Sequence, residues 1–245
     1  MRATPARIAM WSGPRNLSTA LMYAFGNRAD CACWDEPFYA FYLKQSGSGH
    51  PLSAEIIAAG EPDFDQVARR CLGPVPDGKT VFYQKHMTHH MLPGFDRQWA
   101  LGLANAFLIR APERVLASYA RKRDEVELRD IGFIEQCEIF DMVADHLGAA
   151  PPVVDADDIL ADPRRSLARL CESLNIAFSD AMLGWPAGPR PYDGAWAPHW
   201  YGSVWRSTGF EAAPEKMPEL PAELARLADE ARPYYERLRK FALTS

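Results

Sequence analysis

Three stretches of the 245-residue sequence carry side chains that could do chemistry. The first is Ser12-Gly13-Pro14-Arg15-Asn16-Leu17-Ser18-Thr19. Gly13 lets a backbone approach a ligand closely, Arg15 supplies a fixed charge with several donors, and Ser18 and Thr19 add hydroxyls. Set between a strand and a helix, such a loop presents unpaired N–H groups and a partial positive charge to an anion. Pro14 and Asn16 complete the set expected to hold it. The G-x-x-x-x-G-K-[ST] pattern of nucleoside-triphosphate loops is absent, which weighs against magnesium-assisted phosphoryl transfer. An ordinary strand-to-helix turn with a surface arginine is the plain alternative.

The second stretch runs from Arg110-Ala111-Pro112 to Ser118-Tyr119, and a helix that opens at Pro112 brings Ser118 back toward Arg110 on later turns. Two anion sites at neighbouring strand ends would hold two separated phosphates of one ligand. The third stretch, Lys85-His86-Met87-Thr88-His89-His90, follows a strand and puts imidazoles, the natural bases near neutral pH, at its end. Glu36, in Asp35-Glu36-Pro37, reads from the residues alone as a carboxylate that favours a helix start. His86, His89 and His90 are not read as metal ligands, because H-E-x-x-H is missing and no nearby carboxylate completes a set.

Strands must position these groups. Short apolar runs at residues 7–11, 31–34, 81–84, 106–109 and 152–155 read as buried strands. Helical spacing follows the first loop, with Ser18 or Thr19 as cap and Gly26-Asn27 as stop, and returns from Pro112 and over residues 133–147, 163–174 and 221–241. Strands separated by helices predict one α/β domain over residues 1–245, with a mainly parallel central sheet flanked by helices. Residues 184–210, rich in Pro, Gly and Trp, read as a long ordered loop that either faces a ligand or supplies core aromatics.

Twenty-seven Lys and Arg against 32 Asp and Glu give a formal charge of −5, so nothing in the balance draws the chain to nucleic acid or an anionic membrane. Any anion must be caught locally. No apolar stretch reaches the ~20 residues of a membrane span, and no signal peptide is evident. Five cysteines are an odd number, and Cys31 and Cys33 are too close for an unstrained disulfide, so reduced thiols and a cytoplasmic location are expected.

Together the two anion loops resemble those of the sulfotransferase family that uses 3′-phosphoadenosine 5′-phosphosulfate (PAPS). Ser12 to Thr19 is similar to its 5′-phosphosulfate loop, and Arg110 to Ser118 to its 3′-phosphate motif, R-x-P-x-x-x-x-x-S. The run Val153 to Pro163, followed by a helix, is similar to the family's E-D-L-x-x-D-P segment. The resemblance implies a P-loop NTPase-like sulfotransferase topology and PAPS as donor, leaving as adenosine 3′,5′-bisphosphate. It implies that Gly13, Pro14, Arg15, Asn16, Ser18 and Thr19 hold the 5′ end, with Arg15 offsetting charge at the phosphosulfate. Arg110 and Ser118 would hold the 3′-phosphate. Arg206, in Trp205 to Phe210, would stand for the late R-x-G-x-x-G segment. His86 falls on the catalytic histidine of the family's K-T-H-L-P stretch, and Glu36 on an acidic residue proposed as base in some bacterial carbohydrate sulfotransferases. The implied reaction is metal-free transfer of a sulfuryl group to a hydroxyl or amine of a small-molecule or carbohydrate acceptor. A small-molecule kinase with an atypical phosphate loop, or a non-catalytic nucleotide-binding protein on the same scaffold, remain the other readings.

Overall fold

In a computed structural model, which describes residues 5–120, 126–212 and 214–243, the five apolar runs form five strands: β1 (Ala6–Ser12), β2 (Cys31–Asp35), β3 (Val81–Met87), β4 (Ala104–Ile109) and β5 (Val153–Asp155). They pair in the order β2-β3-β1-β4-β5, every pair parallel. Within β1 the side chains alternate between two cores: Ile8 and Met10 join Leu21, Met22 and Phe25, whereas Ala9 and Trp11 join Phe107, Phe140 and Val143. Both faces are therefore covered. That is why these strands read as unbroken apolar runs and not as an alternation of apolar and polar.

The helices are α1 (Ser18–Gly26), α2 (Tyr39–Ser46), α3 (Ser53–Ala59), α4 (Phe64–Cys71), α5 (Pro112–Tyr119), α6 (Phe133–Leu147), α7 (Ala156–Ala161), α8 (Pro163–Ser173), α9 (Ala197–Trp200) and α10 (Ala222–Arg239). Those expected from residues 112, 133–147, 163–174 and 221–241 are present. Register brings the carboxyl ends of the strands to one edge, because Ser12 pairs with Met87 and Leu108, and Asp35 pairs with Lys85. Loops leaving that edge share one crevice beside the central strand, where ligands of open parallel sheets collect. Residues 184–210 fold back over this edge, their ends held by a bridge between Gly184 and Gly209. Among the described residues no helix is long and apolar enough to cross a membrane.

Candidate active site

The loop after β1 is strained. Arg15 (φ 61°) and Leu17 (φ 68°) are both left-handed non-glycine residues, a conformation costing on the order of 1–3 kcal/mol each. Leu17 occupies the cap position of α1 and makes no side-chain cap bond, so neither Ser18 nor Thr19 caps the helix, contrary to the sequence expectation. Both residues line a cavity instead. Asn16 is fully buried, and its Nδ2 donates to the Leu108 carbonyl at 3.2 Å, tying the loop to the end of β4. Its Oδ1 has no hydrogen-bond partner. Gly13 corrects another expectation. A Cβ there would collide with the carbonyl oxygen of Ile131, so this glycine admits the chain's own backbone, and it does not line the cavity.

Arg110 leaves the end of β4, and Ser118 sits in the last turn of α5. Arg15 Nε donates to Ser118 Oγ at 2.9 Å, and Arg110 donates from Nη1 to the Arg15 carbonyl at 3.0 Å. The two loops thus meet at one basic corner, and the Arg15 guanidinium is turned toward the Arg110 and Ser118 end. Arg110 Nε is buried with no partner, and burial holds the guanidinium below its usual proton affinity. A desolvated cation with an unpaired N–H is a site waiting for an anion.

Pro14, Arg15, Asn16, Ser18, Thr19, Arg110 and Ser118 line one cavity of about 420 Å³. Its other walls come from the residue after β2, from α2, from β3 and the turn that follows it, and from the 184–210 segment, which contribute Glu36, Tyr39, Lys85, His90, Trp196 and Tyr201 among others. Lys85 is buried between carboxylates, with Nζ 2.9 Å from Asp35 Oδ1 and 2.8 Å from Glu36 Oε1. Burial works against its charge, but Asp35 and Glu36 together outweigh that, and Lys85 stays above the usual lysine value. Glu36 itself is left-handed, with φ 41°. Burial raises its proton affinity above the ordinary carboxyl value, and Lys85 pulls the other way. His90 lies between the rings of Tyr39 and Tyr42, each 4.8 Å away, and its Nε2 is 4.0 Å from Glu36 Oε2. Burial, then the neighbouring histidines and Lys85, push it well below the usual histidine range, so it stands neutral beside the carboxylate.

His86 is not in this constellation. Strand β3 runs on to Met87, and its period of two sends Lys85 and Met87 to the cavity and His86 to the opposite face. There its ring stacks on Trp11 at 4.6 Å, beside Phe38 and Trp99, and burial lowers its pKa to about 3. Arg206 is also corrected: it is exposed and does not line the cavity. Asp35 and Tyr201 were missed by sequence reasoning. Asp35 matters as the register partner of Lys85, a pairing only the folded sheet reveals, and Tyr201 carried no signal beyond its place in an aromatic loop.

Comparison with known proteins bears on the fold and the family. The model of the sulfotransferase domain matches the chain over residues 6–242, nearly all of its 245 residues. Two Arabidopsis thaliana relatives, branched-chain-amino-acid aminotransferase-like proteins 2 and 1, are 36% identical over 233 residues and 37% identical over 238. These alignments cover 95% and 97% of this chain but 41% and 42% of the relatives, so the chain spans about two fifths of their length. Among solved structures, a sulfotransferase from Alicyclobacillus acidocaldarius superposes with a TM-score of 0.56 at 12% identity, covering 97% of this chain and 96% of its own. The sulfotransferase domain of a Synechococcus olefin synthase gives 0.53 at 17%, covering 94% and 96%. At such identities the likeness speaks for the fold alone. The superposed structures share the fold, and the family model over residues 6–242 makes the assignment: this chain belongs to the sulfotransferase domain family.

Proposed function

We propose that the chain moves a sulfuryl group from PAPS to a hydroxyl or amine of a small acceptor, releasing adenosine 3′,5′-bisphosphate. One observation carries this reading. Arg15, Arg110 and Ser118 contact one another in the same cavity that holds Glu36 and Lys85, so groups suited to an anionic donor and a candidate base share one space. The residues fit the donor chemically. Arg110, with its buried unpaired Nε, and Ser118 suit the 3′-phosphate. The strained 14–19 loop, with Ser18 and Thr19 free of capping duty, suits the 5′-phosphosulfate. Arg15, its guanidinium turned to Ser118, adds positive charge at the 3′-phosphate end and ties that end to the 14–19 loop.

When bound, PAPS supplies the sulfuryl group and a good leaving group. The acceptor oxygen or nitrogen forms a bond to sulfur, the bond from sulfur to the bridging oxygen breaks, and that electron pair stays on the departing 5′-phosphate. Glu36 takes the acceptor proton. Its Oε1 is held by Lys85, leaving Oε2 as the oxygen for proton transfer, and its raised proton affinity brings it closer to the pH at which a base works best. Trp196, Trp200 and Phe210 line the cavity with flat apolar surfaces against which an acceptor body can stack.

Thermal unfolding with adenosine 3′,5′-bisphosphate or magnesium ATP, followed by PAPS turnover in wild type and Glu36→Gln, tests the reading. The bisphosphate should stabilise the protein more than ATP, and Glu36→Gln should lose on the order of 10²-fold or more in rate. Stronger stabilisation by ATP would point to phosphoryl transfer and defeat the proposal.

A further inference from the structure

Lys85 has three N–H bonds, and all three are spoken for: Asp35 Oδ1 at 2.9 Å, Glu36 Oε1 at 2.8 Å and the Tyr201 hydroxyl at 2.6 Å. The Tyr201 hydroxyl is equally saturated. It accepts from Lys85 and from Trp196 Nε1 at 3.0 Å, and donates to Asp35 Oδ2 at 2.7 Å. Lys85, Asp35 and Tyr201 are all buried. A saturated, buried ammonium has no N–H left for a donor or acceptor molecule, so its work is structural. It fixes one oxygen of Glu36.

Tyr201 belongs to the 184–210 segment, not to the sheet. The same segment is pinned near its middle by Asp193, which accepts from Tyr23 of α1 at 2.7 Å and from Trp205 at 2.9 Å, and by Gly194 N on Asp35 Oδ2 at 3.3 Å. The segment over the cavity is therefore wired to the helix of the phosphate loop and to Asp35 and Lys85 at the ends of β2 and β3. From this geometry we propose that Tyr201 is a positioning residue, coupling the seating of the 184–210 segment to the orientation of Glu36. This inference rests on the reading of Glu36 as base.

The coupling has a definite direction. Without the hydroxyl, Asp35 Oδ2 loses a donor and Lys85 loses an acceptor, so Lys85 draws toward Asp35 and loosens its hold on Glu36 Oε1. The other groups facing Glu36 do not replace that hold. His90 is neutral, the Tyr39 hydroxyl is engaged with His50 Nδ1 at 2.8 Å, and the Arg15 guanidinium is turned to Ser118. Glu36 in Tyr201→Phe should thus keep its proton to higher pH.

Titration of the Glu36 side-chain carboxyl by ¹³C NMR, with the signal assigned through its loss in Glu36→Gln, reads this without any acceptor. Tyr201→Phe should raise the midpoint by about one pH unit, a tenfold change in proton affinity. Its affinity for adenosine 3′,5′-bisphosphate should stay within about twofold of wild type, because the phosphate-facing groups are untouched. An unchanged midpoint in a variant that binds the bisphosphate would overturn the positioning role and leave the donor reading standing. Failure of wild type to bind the bisphosphate would overturn the donor reading, and the positioning role with it, whatever the midpoint does. If Tyr201→Phe does not fold, reciprocity supplies the test: Glu36→Gln should speed amide hydrogen exchange in residues 194–206, and exchange at the wild-type rate would refute the coupling.

Discussion

Replacing Arg110 with alanine is the sharpest perturbation of the donor site. In the free protein the guanidinium is partly desolvated, makes one bond to the Arg15 carbonyl at 3.0 Å and leaves Nε unpaired. A phosphate placed against it would gain charge-assisted bonds worth about 1.5–3 kcal/mol each. Losing two of them, with Arg15 and Ser118 compensating in part, should cost about 3–4 kcal/mol, which is roughly 10²- to 10³-fold in affinity. Isothermal titration with adenosine 3′,5′-bisphosphate and, in parallel, adenosine 5′-monophosphate separates this loss from general damage. Wild type should prefer the bisphosphate strongly, and Arg110→Ala should lose most of that preference while binding the monophosphate almost as wild type does. Lysine at the same place keeps the charge but not the fork of donors, and should fall between the two. If Arg110→Ala binds the bisphosphate within twofold of wild type and still discriminates, the 3′-phosphate assignment is wrong.

Two further substitutions probe the surroundings. The folded-state pKa of His86 is depressed to about 3 by burial, so its neutral form adds stability that is complete above the unfolded value of ~6.5 and is lost as pH falls toward 3. Urea unfolding from pH 6 to pH 4 should show stability declining less steeply in His86→Gln than in wild type, by about 1.4 kcal/mol per pH unit, with PAPS turnover retained; identical slopes would mean that His86 is not held neutral. Gly13→Ala drives a methyl group into the Ile131 carbonyl and should cost about 1–3 kcal/mol of stability with weaker bisphosphate binding, and a wild-type urea midpoint would show that the backbone yields there.

The sheet was legible because doubly covered strands concentrate apolar residues, and the 133–147 helix because fifteen residues give its periodicity room to show. The region from Tyr39 to Cys71 was not assigned, since three helices of 7 to 8 residues offer two turns each and little period to detect. The placing of His86 turned on one boundary. Ending β3 at Gln84 makes residues 85–90 a loop in which any histidine is free to face a ligand. The real strand continues to Met87, and alternation then dictates that Lys85 and His86 point to opposite sides. The loop after β1 was recognisable by its residue types, yet its backbone was not. Nothing in Arg15 or Leu17 announces a left-handed conformation, which the packing of Ile131 and the tether to Leu108 impose from elsewhere in the chain.

The bridge between Gly184 and Gly209 brings the two ends of the covering segment side by side, with Trp185 N donating to the Thr208 carbonyl at 3.0 Å. A stretch whose entrance and exit coincide can change length or composition without shifting any strand. The corner formed by Arg15, Arg110 and Ser118 lies wholly outside it. Inheritance could therefore keep the nucleotide end fixed while redrawing the wall that greets the second substrate. The tie through Tyr201 sets the condition: each redrawn version must still deliver a hydroxyl to Lys85 and Asp35.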